Sequence, residues 1–259
     1  MGNPIISPGD YEKDLQRIYQ RLNADLLEKV YDRHVIILEE EFLSGIDNVS
    51  GGIGKLGWNF ASAGGVGTYG FQAGESDHPG IYRIASHSDN TDAMWIYLSR
   101  NQVVPTAQLP CILANQIDAV SFIVRIPTIT TCMARVGLSD DLTDVTAAQW
   151  GANAAWFDFT PASSANWRTY TRAAAVSSAA QSTGIAVTAG NWYVLKIIRT
   201  AGGNFTFYVN DILKTTHATN QPTVVINAGA QIKTLTTAQR TLDLDYFRLK
   251  TARFGNRYT

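Results

Sequence analysis

Two acids spaced two apart on a β-strand share one face, the arrangement by which paired carboxylates cleave glycosidic bonds. Asp243 and Asp245, in Leu-Asp-Leu-Asp, have that spacing. Neither position is a glutamate and no third acid keeps step, while Asp158, in Trp-Phe-Asp-Phe, stands alone. The two aspartates therefore read as exposed acids that keep a strand soluble and its edge unpaired. No Gly-x-Ser-x-Gly elbow occurs. Gly-Gly-Ile-Gly-Lys-Leu-Gly (51–57) puts Leu56 where a phosphate-binding loop needs a hydroxyl, so it reads as a turn. No catalytic residue, no enzyme activity and no cofactor are expected.

Cation binding and sugar stacking remain. The four histidines, His34, His78, His87 and His217, share no metal-ligand spacing. His78 sits in Asp-His-Pro-Gly, a turn signature. In Ser-His-Ser-Asp-Asn-Thr-Asp (86–92), Asp89, Asn90 and Asp92 could hold a hard cation such as calcium, and a solvated loop accounts for them as well. Asp140, Asp141 and Asp144 admit the same two readings, an Asx-turn being the simpler. Trp95 and Tyr97 share one strand face, opposite Met94, Ile96 and Leu98, and Trp167 and Tyr170 neighbour Asn166 and Arg168. Each group is either a platform for pyranose rings or filling between two sheets. Cys132 alternates with Ala134, Val136 and Leu138 and reads as a small buried side chain, and a bond to Cys111 stays open.

The elements that must position these residues follow from composition and period. Hydrophobic residues make up 45%, enough for a sizeable core, while charged residues are only 17%. Thr, Ser, Ala, Asn and Gly fill the difference, which suits an all-β extracellular or virion protein. A net charge of −1 gives no field for nucleic acid or anionic membrane. The start has no basic and apolar signal regions and no myristoylation site, and no apolar run approaches a membrane span.

Residues 10 to about 38 carry the helical period, with Asp10 as N-cap. Tyr11, Leu15, Ile18, Leu22, Leu26 and Val30 form one stripe, suited to self-association or to docking on the body. The expected division is an oligomerising or anchoring helical segment, 1–38, and a β domain, 39–259.

From Glu39 onward, short alternating runs separated by Gly-rich turns replace the helical period. Residues 80–86 and 93–99 look like one hairpin, 120–127 and 132–138 like a second, and 154–161 and 166–174 like a third. Asn-Trp-Tyr-Val-Leu-Lys-Ile-Ile-Arg and Asn-Phe-Thr-Phe-Tyr-Val-Asn-Asp flank an Ala-Gly-Gly-Asn turn, and 241–250 is the last clear strand. The expected fold is mainly β, an antiparallel sandwich. Two smaller domains split within the Ala/Ser-rich stretch 173–184 are the alternative.

The paired Trp-Tyr and Tyr-Val-Asn-Asp strands, with Arg-Thr-Leu-Asp-Leu-Asp-Tyr-Phe-Arg-Leu-Lys at the end, resemble laminin-G-like, concanavalin A-like jelly rolls. Glu-Glu-Glu-Phe-Leu-Ser-Gly, Ile-Gly-Lys-Leu-Gly-Trp-Asn-Phe and His-Pro-Gly-Ile-Tyr-Arg-Ile-Ala-Ser are similar to a recurrent bacteriophage structural module, and the N-terminal stretch resembles the helices that open phage appendage proteins. The resemblance implies a virion protein, a homotrimer of fibre or spike type that contacts other virion proteins or a host-surface glycan. Capsid decoration or a head fibre is the alternative role, and a concanavalin-like carbohydrate-active enzyme is the alternative of another class.

Overall fold

The structure, a computed structural model, describes residues 35–43, 53, 54, 56–89, 91–98, 112–142 and 150–252. Chain order gives β1 (Val35–Glu40), β2 (Trp58–Ala63), β3 (Thr68–Gln72), β4 (Ile81–Ala85), β5 (Ala93–Leu98) and β6 (Ile112–Leu113). A 3-10 turn at Ala114–Gln116 leads to β7 (Ile117–Arg125), β8 (Cys132–Ser139), β9 (Ala154–Phe159), β10 (Asn166–Ala173), β11 (Val176–Ser177) and β12 (Gln181–Ala186). The chain ends through β13 (Trp192–Arg199), β14 (Phe205–Val209), β15 (Ile212–His217), β16 (Val225–Thr234) and β17 (Thr241–Ala252). Among the described residues there is no α-helix, and no helix is long and apolar enough to cross a membrane.

The strands form two sheets. The first has the order β15-β14-β13-β7-β17-β4-β3, with β1 also on β17. The second has the order β11-β10-β9-β8-β16-β5-β2, with β12 on β10 and β6 on β16. Alternation places one face of each strand inside: Phe122, Val124, Leu195, Ile197 and Phe247 from the first sheet meet Val136, Leu138, Phe157 and Ile232 from the second. Each such side chain contributes roughly 1.5–3 kcal/mol by leaving water. Residues Ile37–Thr251 are one compact unit, so 173–184 is no domain boundary. That stretch supplies β11 and β12, which edge β10.

Two expected hairpins are corrected. β4 lies in the first sheet and β5 in the second, as do β7 and β8. The loops Ser86–Asp92 and Ile126–Thr131 therefore cross between layers, and each strand finds partners distant in sequence. The β9–β10 and β13–β14 pairs are hairpins as expected, the latter turning through Gly203 at φ 87°.

The helical stripe Tyr11, Leu15, Ile18, Leu22, Leu26 and Val30 lies outside the described residues. Its expected end at residue 38 is corrected, because Val35–Glu40 is a strand. Val-Ile-Ile favours the pleated state through its β-branched side chains, and the pattern from residue 35 belongs to β1. Asp243 and Asp245 are not edge acids either: β17 is central, between β7 and β4, and the two residues are 0% and 7% exposed.

Candidate functional site

The face of the second sheet that looks away from the first carries most of the chemistry noted in the sequence. Trp95 and Tyr97 come from β5, Arg135 from β8, Trp156 and Asp158 from β9, Arg168 and Tyr170 from β10, and Gln231 and Lys233 from β16. Register sets them side by side: Trp95 opposite Gln231, Gln231 opposite Arg135, Arg135 opposite Asp158 and Asp158 opposite Arg168.

An outer sheet face normally meets water, and this one does not. Trp95 and Tyr97 are 3% and 1% exposed, and they pack with Trp150, Trp156, Leu142, Ala93 and Ala154 in a second apolar cluster. The β8–β9 loop brings the cover. Leu142 crosses to Gly229, where an added Cβ would come within 2.9 Å of its side chain, and Trp150 meets Trp156 edge-on.

Polar contacts staple that loop down. Ser139 Oγ donates to the Trp150 carbonyl at 2.9 Å, and Gln231 Nε2 donates to the Leu142 carbonyl at 3.1 Å. The Asp140 carboxylate accepts from the backbone N–H of Ala152 and Asn153 and from Asn153 Nδ2, at 2.9, 3.0 and 2.7 Å. These bonds span 12 and 13 residues and clamp the two ends of the loop together, in place of the local Asx-turn expected for Asp140, and Asp144 lies outside the described residues.

Asp158 is the one carboxylate among the strand residues of this sheet. It is 2% exposed, bonded to Arg168, and 3.6 Å from Arg135 Nε. Both of its charged neighbours are guanidinium groups, so its oxygens are committed to ion pairing. Among the described strand residues of this sheet, no second carboxylate stands beside it to form the pair that glycoside hydrolysis uses.

The same packing bears on the two readings left open for the aromatic groups, pyranose platform or buried filling. Trp95 and Tyr97 share the outer face as expected and lie in its buried cluster. Trp167 is 0% exposed and points into the main core, whereas Tyr170, three residues on, faces outward and stacks on Trp156 at 4.9 Å. An odd spacing places two strand residues on opposite faces, so Trp167 and Tyr170 cannot form one surface.

The loop Ser86–Asp92 brings His87, Asp89 and Asp92 together, with one potential ligand atom from each within 4.8 Å of the others. His87 Nδ1 stands 3.1 Å from Asp92 and 3.4 Å from Asp89, and Asn90 lies outside the described residues. Gly64 and Gly65 of the β2–β3 loop make the room, since a Cβ there would strike Asp92 and His87. These three side chains could supply part of a cation site, the reading left open for Asp89 and Asp92. An imidazole–carboxylate pair accounts for the geometry.

Sequence reasoning missed the polar centre of the first sheet. Asp243 accepts from Arg83 Nε at 2.6 Å and Nη2 at 2.9 Å, and from Arg125 Nε and Nη2 at 2.9 and 2.8 Å. Arg125 also lies 4.5 Å over the Trp192 ring, against which His78 stacks at 4.2 Å while bonding Asp245 at 2.8 Å. Glu75, bonded to Arg125 and Trp192, has its pKa lowered by the Arg125 hydrogen bond first. This cluster ties the Glu75–Gly80 turn to three strands.

The sandwich is similar to solved structures of varied description. The Shewanella oneidensis MR-1 protein SO2946, of unknown function, shares 11% identity over 100% of both chains at a TM-score of 0.58. The Emp47p carbohydrate recognition domain shares 8%, over 84% of this chain and 95% of that one, at 0.53. SCLam, a non-specific endo-β-1,3(4)-glucanase from family GH16, shares 9%, over 85% of this chain and 92% of that one, at 0.53. Likeness at such identity shows a common fold alone. No curated protein matches the sequence. The family model of the SO2946-like C-terminal domain matches residues 77–245, well over half of the chain, and the chain belongs to that family.

Proposed function

We propose that this chain is a non-enzymatic contact protein, a virion structural component whose sandwich mediates host-surface or particle contacts. One observation carries the non-enzymatic part: Asp158, the one carboxylate on the strands of the second sheet, is gripped by Arg168 and Arg135 beneath a cluster of buried aromatic rings. The virion part is supported by the low charged fraction, the helical stripe ahead of a β domain and the phage-like motifs between residues 39 and 86. In this reading the stripe from Tyr11 to Val30 joins copies of the chain into a homotrimer, and the sandwich is displayed outward.

Three measurements test the proposal. Native mass spectrometry of the full chain should give three times the 28.3 kDa subunit mass. An antiserum against the protein should label phage particles from the producing strain in electron micrographs, on an appendage rather than over the capsid. Incubation with mixed-linkage β-glucan should release no reducing sugar above the blank. Release that disappears in Asp158→Asn would overturn the non-enzymatic reading, and particles free of label would overturn the virion reading.

A further inference from the structure

The outer face of the first sheet holds a groove that the proposed function does not use. Three adjacent strands build it: β13, β7 and β17. On one rung Lys196 pairs with Ser121, and Ser121 with Arg248. On another, Ile198 pairs with Ala119, and Ala119 with Lys250. The middle strand thus presents small side chains while its neighbours present mostly long ones. Small residues flanked by long ones make a trough, here of about 500 Å³. Strands lie roughly 4.8 Å apart, so the backbones bearing Lys196 and Arg248 stand roughly 10 Å apart across the floor.

The charges around this trough are unbalanced. Lys196, Arg199, Arg248 and Lys250 line it against one acid, Asp118. The acids that reach the lysines and Arg248 do so as solvent-exposed pairs: Lys250–Asp118 at 3.2 Å, Arg248–Glu39 at 3.0 Å and Lys196–Asp211 at 3.1 Å. Glu39 and Asp211, with side chains 48% and 73% exposed, stand outside the groove lining. Such pairs contribute roughly 0–1 kcal/mol each and give way to a better-placed anion. Among the described residues Arg199 meets no carboxylate: its Nη1 donates to the Asn115 carbonyl at 3.4 Å, and its Nε has no acceptor. Its charge therefore lines the groove without a neutralising acid and attracts an oxyanion there.

We propose that this groove binds a ligand carrying at least two sulfate or phosphate esters, laid along β7 with its anionic groups reaching the cations on both walls. Ser121 offers a hydroxyl at the floor, and Ala119 and Ile198 offer apolar contact to the ligand's carbon frame. The proposal does not depend on the virion reading, since it rests on strand register and charge alone.

The test uses the full chain and two probes, sucrose octasulfate and inositol hexakisphosphate, which separate sulfate from phosphate as the source. Isothermal titration at about 50 mM salt should show binding to at least one, weakened severalfold at about 200 mM salt by screening. Arg199→Gln and Lys250→Gln should each weaken it about fivefold or more, while Lys214→Gln, on β15, should leave it unchanged. All three are surface changes, and unaltered melting temperatures would confirm intact folding. Amide NMR shifts should concentrate on β7, β13 and β17. No binding to either probe, affinity indifferent to Arg199 and Lys250, or shifts elsewhere would overturn the proposal. Tighter binding of a short single-stranded DNA than of either ester would overturn it in favour of a nucleic-acid surface.

Discussion

Acidification should loosen the seam between the sheets at His217. This residue ends β15, is 2% exposed, and meets Thr169 of the opposite sheet, whose Oγ1 lies 3.0 Å from its Nε2. Thr215 extends the contact at 2.8 Å from Thr169, and Phe207 packs edge-on at 5.3 Å. Burial pushes the imidazole down to about 4, against a smaller opposing effect of Thr169. In the unfolded chain it takes a proton at about 6.5. Between these values the unfolded state binds more protons, so stability is complete above about pH 6.5 and is lost as pH falls toward 4. Integrating from pH 7.5 to 5.0 gives a loss of about 2 kcal/mol from this group alone. Urea unfolding of the wild type and of His217→Gln at intervals across that window would measure it, because the carboxylates titrate in both proteins and cancel in the difference. The wild type should lose about 2 kcal/mol more than the variant. Parallel pH profiles would refute the reasoning, since the imidazole would then be titrating as freely in the fold as in water.

Further outcomes follow from the other buried polar groups. Asp243→Asn removes the carboxylate shared by Arg83 and Arg125 and leaves Arg125 with Glu75 alone, which should cost about 3 kcal/mol in urea unfolding. Cys132, buried in the core with its thiol pushed up to about 12 by desolvation, should resist iodoacetamide in the native protein and react once urea unfolds it. Asp140→Ala removes the acceptor of three hydrogen bonds that hold the β8–β9 loop, so acrylamide should quench tryptophan fluorescence more strongly as Trp150, Trp156 and Trp95 lose cover. Unchanged quenching would mean that the rings need no staple.

Most long strands were legible from their alternation, but β16, in which Ile226, Ala228, Ala230 and Ile232 alternate with Asn227, Gly229, Gln231 and Lys233, was not. Nor were β2, β3 and β15, and partners were legible only across short turns. Ala-Ser-Ser-Ala and Ala-Gly-Gly-Asn force neighbours to pair, and β9–β10 and β13–β14 do so. The loops Ser86–Asp92 and Ile126–Thr131 are long enough to cross layers, and a period of two is silent about which sheet a strand joins. The site was legible only in part for the same reason. Asp158 could be picked out as a lone acid, but its fate is set by Arg168 ten residues on and by Arg135 on another strand. Trp95 and Tyr97 were correctly assigned to one face. What hides them is Leu142 and Trp150, contributed by a connection whose path alternation cannot specify.

The two outer faces of the sandwich therefore have different tasks. Beyond the second sheet, Trp95, Tyr97, Trp150 and Trp156 are withdrawn from water, and their large apolar area stabilises the fold rather than a complex. A ligand seeking those rings would first have to lift the loop that Ser139, Asp140 and Gln231 hold down. Beyond the first sheet, Lys196, Arg248 and Lys250 remain partly exposed over a floor of Ser121 and Ala119, and their present partners are exposed acids that a multivalent anion can displace. The proposed binding there would exchange one set of carboxylates for better-spaced oxyanions. On the proposed reading, then, the contact surface is the face where β7 carries small side chains, and the aromatic face serves stability.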